Sequence, residues 1–202
     1  MTKRAIKVLI PIAIVVILIL IIYGSLTGTY NKMVMMDEGV KASWSQVENV
    51  YQRRYDLIPN LVETVKGYAA QEKDTFTAVT EARASAGGVM KISDEVLQDP
   101  AAFERFQKAQ SELSSALQRL LVVTENYPDL KSNQNFLALQ DQLEGTENRI
   151  AVERKRFNEQ VKVYNTYIKQ FPRMIIANMA GFNARPYFEA SEGASTAPKV
   201  EF

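Results

Sequence analysis

The sequence predicts an all-α protein, in which an N-terminal transmembrane helix precedes an up-and-down bundle of three long helices and a short C-terminal helix. Three observations support this fold class. One long uncharged apolar run lies near the N-terminus, apolar residues then recur at spacings of three and four, and the 202 residues include only 9 glycines and 7 prolines. Such spacing aligns apolar side chains along one face of a helix. Low glycine and proline content lets helices run long.

The composition excludes several function classes. The chain has 24 basic and 23 acidic residues and a formal net charge of +1, so it lacks the field that attracts nucleic acid. It contains no cysteine and no histidine. Disulfides, thiolate zinc sites and cysteine nucleophiles are therefore impossible, and the usual general base and commonest metal ligand are missing. We expect no enzymatic activity, no metal, no cofactor and no nucleic-acid partner.

Residues 8–30 form the predicted transmembrane helix, through which the protein contacts the lipid bilayer. No charge occurs between Lys7 and Lys32, and a helix of that length spans roughly 36 Å, more than a hydrocarbon core of about 30 Å. A cleaved signal peptide is the alternative, because the densest apolar run covers only residues 8–23. The following "YGSLTGTY" lacks an A-x-A-like cleavage site, which favours a retained anchor.

The charges beside the span predict its orientation. Residues 1–7 form a basic flank with Lys3, Arg4 and Lys7. On the other side two lysines are offset by two acidic residues, namely Lys32, Lys41, Asp37 and Glu38. The positive-inside rule therefore favours a single-pass cell-membrane protein with a cytoplasmic N-terminus and an exported bundle.

A heptad pattern begins after the anchor and predicts the first long helix. Its apolar face, here called the first seam, follows spacings of four and three and includes Val40, Trp44, Val47, Tyr51, Arg54, Ile58, Leu61, Val65 and Tyr68. Glycine commonly ends a helix. We therefore expect this helix to end near Gly87 and Gly88.

Proline and capping residues predict the remaining helices. Asp99 is the expected N-cap of the second helix, which ends before Pro128, and Ser132 is the expected N-cap of the third, which ends at Pro172. A short fourth helix runs from about Met174 to Gly181. Short connections place long helices antiparallel to their neighbours, so the first would run parallel to the third. The bundle domain covers residues 31–190, and residues 191–202 form a flexible tail.

Five polar residues near the seams form a candidate polar layer, and they are Arg54, Glu72, Gln110, Glu147 and Arg154. The predicted helix register brings the last four to one level, and pairs Arg54 with Asp129 or Glu125. A charge on an apolar seam is costly unless it is paired. The layer either fixes the register of the helices or binds a small ligand or ion inside the bundle.

Pro59 lies in the middle of the first helix. It leaves the Tyr55 carbonyl without its helical donor and predicts a kink. The nearby side chains of Arg53, Arg54 and Asn60 are candidate donors for that carbonyl.

Three sequence blocks, "RRYDLIPNL", "GTENRIAVER" and "GFNARPYFEA", resemble the LemA family of bacterial membrane-anchored proteins. The resemblance extends from the anchor to the closing "PKVEF". It implies a transmembrane segment followed by an all-α bundle with coiled-coil character and no established catalytic residues. Family members are often encoded near a membrane zinc metalloprotease or a TPM-domain protein. The resemblance therefore implies a role in envelope or membrane-protein homeostasis, with such a neighbour as partner.

Two functions follow from these patterns. The leading hypothesis is a membrane-anchored, non-enzymatic helical interaction or scaffold protein that forms a homo-oligomer. The third helix outruns the first two in the predicted register, so Tyr164, Tyr167 and Phe171 would be exposed and need another surface. The alternative is a membrane-tethered sensor that binds a small ligand or ion at the polar layer.

Overall fold

The computed structural model describes the backbone of residues 3–90 and 96–189, and side chains from residue 12 onward. The described residues form six helices and no strand, which confirms the all-α class. In chain order the helices are α1 (Lys3–Lys66), α2 (Lys73–Met90), α3 (Pro100–Thr124), α4 (Pro128–Lys131), α5 (Gln134–Lys169) and α6 (Arg173–Ala180). The predicted tail at residues 191–202 lies outside the described residues.

The chain divides into two compact units. The first comprises the described residues up to Lys41 together with residues 162–184. The second comprises residues 42–161 and the described residues from Arg185 onward. Helices α1 and α5 contribute residues to both units.

The N-terminal part of α1 is long and apolar enough to cross a membrane. The side chains of residues 12–26 are exposed, whereas the apolar side chains of a core helix would be buried against the rest of the protein. This stretch fits the predicted span and contact with a lipid bilayer.

The prediction of one helix continuing to Gly87 and Gly88 is wrong. Helix α1 ends earlier, and residues 67–72 reverse the chain before α2. Side-chain hydrogen bonds hold this reversal against the segment between α3 and α5. The Asn133 amide donates to the Tyr68 hydroxyl at 2.8 Å, and the Tyr127 hydroxyl donates to Glu72 Oε1 at 3.0 Å. Gly67 favours the break, because glycine is a poor helix former.

This extra reversal changes the topology of the second unit. Trp44 of α1 contacts Phe103 of α3 and Phe157 of α5, with ring centroids 5.8 and 5.4 Å away. Farther along α1, Arg54 contacts Ser114 and Glu147. Partner numbers therefore rise along α3 and fall along α5, so α1 runs parallel to α3 and antiparallel to α5. The predicted parallel arrangement of the first and third long helices is wrong.

Gly87 permits a close approach between α2 and α1 rather than ending a helix. A Cβ atom at Gly87 would lie 2.8 Å from the Tyr55 hydroxyl oxygen, whereas one at Gly88 would meet nothing within 4 Å. Helix α2 continues past both glycines. Of the two glycines that suggested a helix end, Gly87 is therefore a packing contact and Gly88 faces open space.

The helix starts are partly as predicted. The Asp99 carboxylate accepts from the Ala101 N–H at 2.9 Å, which confirms the N-cap of α3. At the start of α5 the predicted cap Ser132 is wrong. Asn133 accepts from the Phe136 N–H at 3.0 Å instead. An asparagine caps a helix as well as a serine, so sequence alone did not separate the two neighbours.

The core of the second unit contains an aromatic cluster, which comprises Trp44, Phe103, Phe106, Phe157 and Phe188. Phe188 comes from a non-helical segment after α6. The Asn158 amide holds its backbone through two hydrogen bonds of 2.9 Å, one to the carbonyl and one from the N–H of Phe188.

The first-seam residues Val40 to Val65 are buried, as predicted, and Tyr68 is exposed.

In the first unit the expected exposure of Tyr164 is wrong, because Tyr164 is fully buried. Its hydroxyl donates to the Asn183 carbonyl at 3.0 Å, since the chain after α5 folds back. Tyr167 is half-buried, with the Arg173 guanidinium 4.2 Å from its ring centre. Phe171 is exposed, as predicted.

Candidate functional site: the polar layer of the second unit

Arg54 is the centre of the polar layer, and its side chain is only 1% exposed. One terminal nitrogen donates to Ser114 Oγ and to Glu147 Oε1, both at 2.8 Å. The other donates to Gln110 Oε1 and, at 3.4 Å, to the Gln110 carbonyl oxygen. One guanidinium thus links α1 to α3 and α5.

Electrostatics explain why Arg54 has these partners. Burying a charge costs on the order of several kcal/mol unless a counter-charge and hydrogen bonds replace its contacts with water. Glu147 supplies the counter-charge, and its side chain remains 41% exposed. The planar guanidinium can direct donors to several acceptors at once, which a lysine ammonium cannot do in the same geometry.

Tyr51 and Arg154 extend the layer toward the aromatic cluster. The Arg54 guanidinium lies 5.0 Å from the centre of the Tyr51 ring. Burial raises the pKa of the Tyr51 hydroxyl, and the positive charges of Arg154 and Arg54 partly offset that rise. Arg154 also lies 4.7 Å from the Phe188 ring centre and donates to the Glu189 carbonyl at 2.9 Å. Arg154 therefore adjoins the layer and also fastens the C-terminal segment.

Two buried donors in the layer have no hydrogen-bond partner among the described residues, Arg54 Nε and Gln110 Nε2. Both residues also line an open groove of about 1110 Å³, together with Glu147 and Arg154. Donors of this kind suit a hydrogen-bond acceptor rather than a cation. The described residues hold no group of three or more histidine, cysteine, aspartate or glutamate side chains placed to bind a metal.

The structure brings only part of the predicted layer together. Arg54 bonds to both Gln110 and Glu147, and Arg154 lines the same groove. The predicted pairing of Arg54 with Asp129 or Glu125 is wrong. Glu125 instead forms an ion pair with Lys131, in which Oε2 and Nζ are 2.5 Å apart.

Glu72 lies away from the layer, where it accepts the hydrogen bond from Tyr127. The reversal at residues 67–72 explains both differences. It brings Glu72 to the α3–α5 turn and leaves Arg54 at the level of Gln110. Sequence reasoning also missed Ser114, although it lies one helical turn after Gln110 on the same face of α3.

The Tyr55 carbonyl, which Pro59 leaves without its helical donor, accepts a hydrogen bond from a residue of another helix rather than from a sequence neighbour. Helix α1 continues through Pro59. The Tyr55 carbonyl accepts from Arg83 Nε of α2 at 3.2 Å, and the Arg83 guanidinium lies 3.8 Å from the Tyr55 ring centre. The predicted use of Arg53, Arg54 or Asn60 is replaced by this contact between helices. The predicted kink itself stays a prediction.

A helix of membrane-spanning length and a helical bundle with a hydrogen-bonded polar centre define a membrane-associated all-helical protein. The chain belongs to the LemA family, whose sequence profile matches residues 43–202. This match confirms the resemblance carried by the three sequence blocks.

The chain is also similar to magnetosome proteins. The chain is similar to magnetosome protein MamQ of Magnetospirillum gryphiswaldense, with 29% identity over 200 residues, covering 92% of this chain and 74% of the relative. It is equally similar to magnetosome proteins MamQ 1 and MamQ 2 of Paramagnetospirillum magneticum, with 29% identity over 188 residues, covering 86% of this chain and 69% of each relative.

The first prediction concerns the buried guanidinium. Arg54→Lys keeps the charge but cannot reach Gln110, Ser114 and Glu147 together, so we expect the free energy of unfolding to fall by about 1–3 kcal/mol. The exposed neighbour provides the control, and Arg53→Lys should change it by less than about 0.5 kcal/mol. Urea unfolding of the full chain in detergent, followed by circular dichroism, measures both. Equal effects of the two substitutions would contradict a structural role for the layer.

The second prediction links Pro59 to Arg83. Arg83→Met removes the donor to the Tyr55 carbonyl and should lower the free energy of unfolding by about 1–3 kcal/mol. In a Pro59→Ala background position 59 carries an N–H, so the same change should cost about 1 kcal/mol less. Arg83→Met also removes the stacking of Arg83 on Tyr55. That loss is the same in both backgrounds, so it cancels when the two changes in unfolding free energy are subtracted. Identical costs in the two backgrounds would show that Arg83 does not serve the carbonyl.

Proposed function

We propose that the protein is a membrane-anchored, non-enzymatic scaffold that self-associates and contributes to envelope or membrane-protein homeostasis. The observation that carries this proposal is that α1 contains both an exposed apolar stretch of membrane-spanning length and the buried seam of the bundle. The polar layer supports a structural role, because the Arg54 guanidinium is already ion-paired with the Glu147 carboxylate. The chain also lacks histidine and cysteine.

The proposal includes a membrane arrangement. Residues 1–7 form the cytoplasmic flank, residues 8–30 cross the bilayer once, and residues 31–190 form the exported bundle. The partner class, implied by the family, is a membrane protease or a TPM-domain protein.

Self-association needs a surface other than the seams. Seam residues from Val40 to Val65 are already buried within one chain. Exposed apolar side chains remain at the end of the second unit that contains the α3–α5 turn, and they are Tyr68, Val122 and Leu137. Tyr68 reaches that turn through Asn133. Val122 and Leu137 precede and follow it in the chain. We assign the contact between copies to this end.

The third prediction tests that contact. The full chain in detergent should have a mass of more than one copy by light scattering. Val122→Glu should lower that mass, because burying an unpaired carboxylate in the contact is costly. Val152→Glu changes an exposed valine on α5 and serves as the matched control. A monomer over a wide concentration range would refute self-association while leaving the anchored scaffold in place.

A second candidate function is a sensor that binds a small ligand at the polar layer. The unpaired donors Arg54 Nε and Gln110 Nε2 support it, because an acceptor such as a carboxylate in the adjoining groove would satisfy both. The ligand class is therefore a small acid rather than a metal ion.

The fourth prediction separates this sensor from a purely structural layer. A panel of small carboxylic acids should include one that raises the melting temperature of the full chain, because a ligand that binds only the folded state stabilises it. Gln110→Met removes one unpaired donor and should abolish the shift. Gln118→Met, at an exposed position of α3, should leave it unchanged. Absence of a shift across the panel refutes the sensor.

A further inference from the structure

Helix α6 exposes an apolar face in the first unit. Ile175 and Met179 are 52% and 85% exposed, and a spacing of four residues places them on one side of the helix. Phe171, in the turn just before α6, is 80% exposed. Ala177 is buried, so α6 has one packed side and one open apolar side. Such a face needs an apolar environment.

One flank of α6 lies beside the C-terminal part of the predicted span. An apolar groove of about 450 Å³ separates the two helices, and its lining includes Tyr23, Leu26, Tyr30, Ile176, Met179 and Ala180. The ring of Tyr30 also meets that of Phe182 edge-on, with centroids 5.6 Å apart. The exposed face of α6 is therefore continuous with the exposed apolar surface of α1.

The position along α1 sets the depth of α6 relative to a bilayer. The uncharged stretch begins after Lys7, and a hydrocarbon core takes about 20 helical residues, which ends it at about residue 27. Tyr23 and Tyr30 flank that point, and tyrosine is enriched at membrane interfaces. A helix packed against them lies at the boundary between acyl chains and headgroups.

We propose that α6 and the turn before it form a second membrane contact, lying in the interface with Phe171, Ile175 and Met179 inserted into the lipid. Local charge favours this occupant. No acidic residue occurs between Lys169 and Arg185. Lys169 and Lys32 are both exposed, so they can meet anionic headgroups. The inference extends the proposed anchor, on which it rests, from a single span to a span with a lateral helix.

The chain suits a direct test, since it contains no cysteine. Single variants Phe171→Cys, Ile175→Cys and Met179→Cys of the full chain carry a nitroxide label in vesicles of phosphatidylcholine and phosphatidylglycerol. Oxygen concentrates in lipid and a nickel chelate stays in water. We expect these labels to collide mainly with oxygen. Val152→Cys, at an exposed valine of the second unit outside the proposed contact between copies, should collide mainly with nickel.

A label at Ile19→Cys, in the exposed part of the span, separates the possible failures. If it reports lipid while the α6 labels report water, the lateral contact is refuted and the anchor stands. If it also reports water, the anchor itself fails. Spin–spin broadening at α6 that disappears on dilution with unlabelled protein would assign the face to a second copy and also refute the proposal. Met174→Cys replaces any α6 variant whose circular dichroism shows lost helix.

Discussion

The buried guanidinium of Arg54 is the constraint on which the second unit depends. Its hydrogen bonds to α3 and α5 have fixed lengths and directions, whereas apolar contacts tolerate sliding. A shift of one helix by a single turn would leave a charge buried without a partner, which costs more than the pair contributes. We propose that the layer thus selects one register among several that the repetitive seams would accept. Buried polar residues play this part in coiled coils.

The sequence blocks that carry the family resemblance meet around this layer. The first contains Arg54 and Pro59, the second contains Glu147 and Arg154, and the third contains Phe188. Arg154 connects the second block to the third, because it stacks on Phe188 and bonds to the Glu189 carbonyl. Segments far apart in the chain therefore combine in one structural centre. This arrangement explains their residue types without requiring catalysis.

Most of the fold was readable from the sequence, but the register of the layer was not. Heptad spacing predicted the buried seam residues, and Asp99 with its following proline predicted the start of α3. The same spacing continued smoothly to Tyr68, and Gly87–Gly88 offered a stronger apparent end than Gly67. The reversal at residues 67–72 is held by contacts distant in sequence, so no local pattern revealed it. The predicted register therefore placed Glu72, rather than Arg54, at the level of Gln110.

Neighbouring residues of α1 tie it to all the other long helices of the second unit at one level. Arg54 binds α3 and α5, while Tyr55 receives Arg83 and fits against Gly87 of α2. Pro59 contributes by freeing the carbonyl that Arg83 uses. Because this level fixes the bundle from within one chain, the seams are not available to a second copy. The burial of the seams within one chain distinguishes this architecture from a coiled coil assembled between chains.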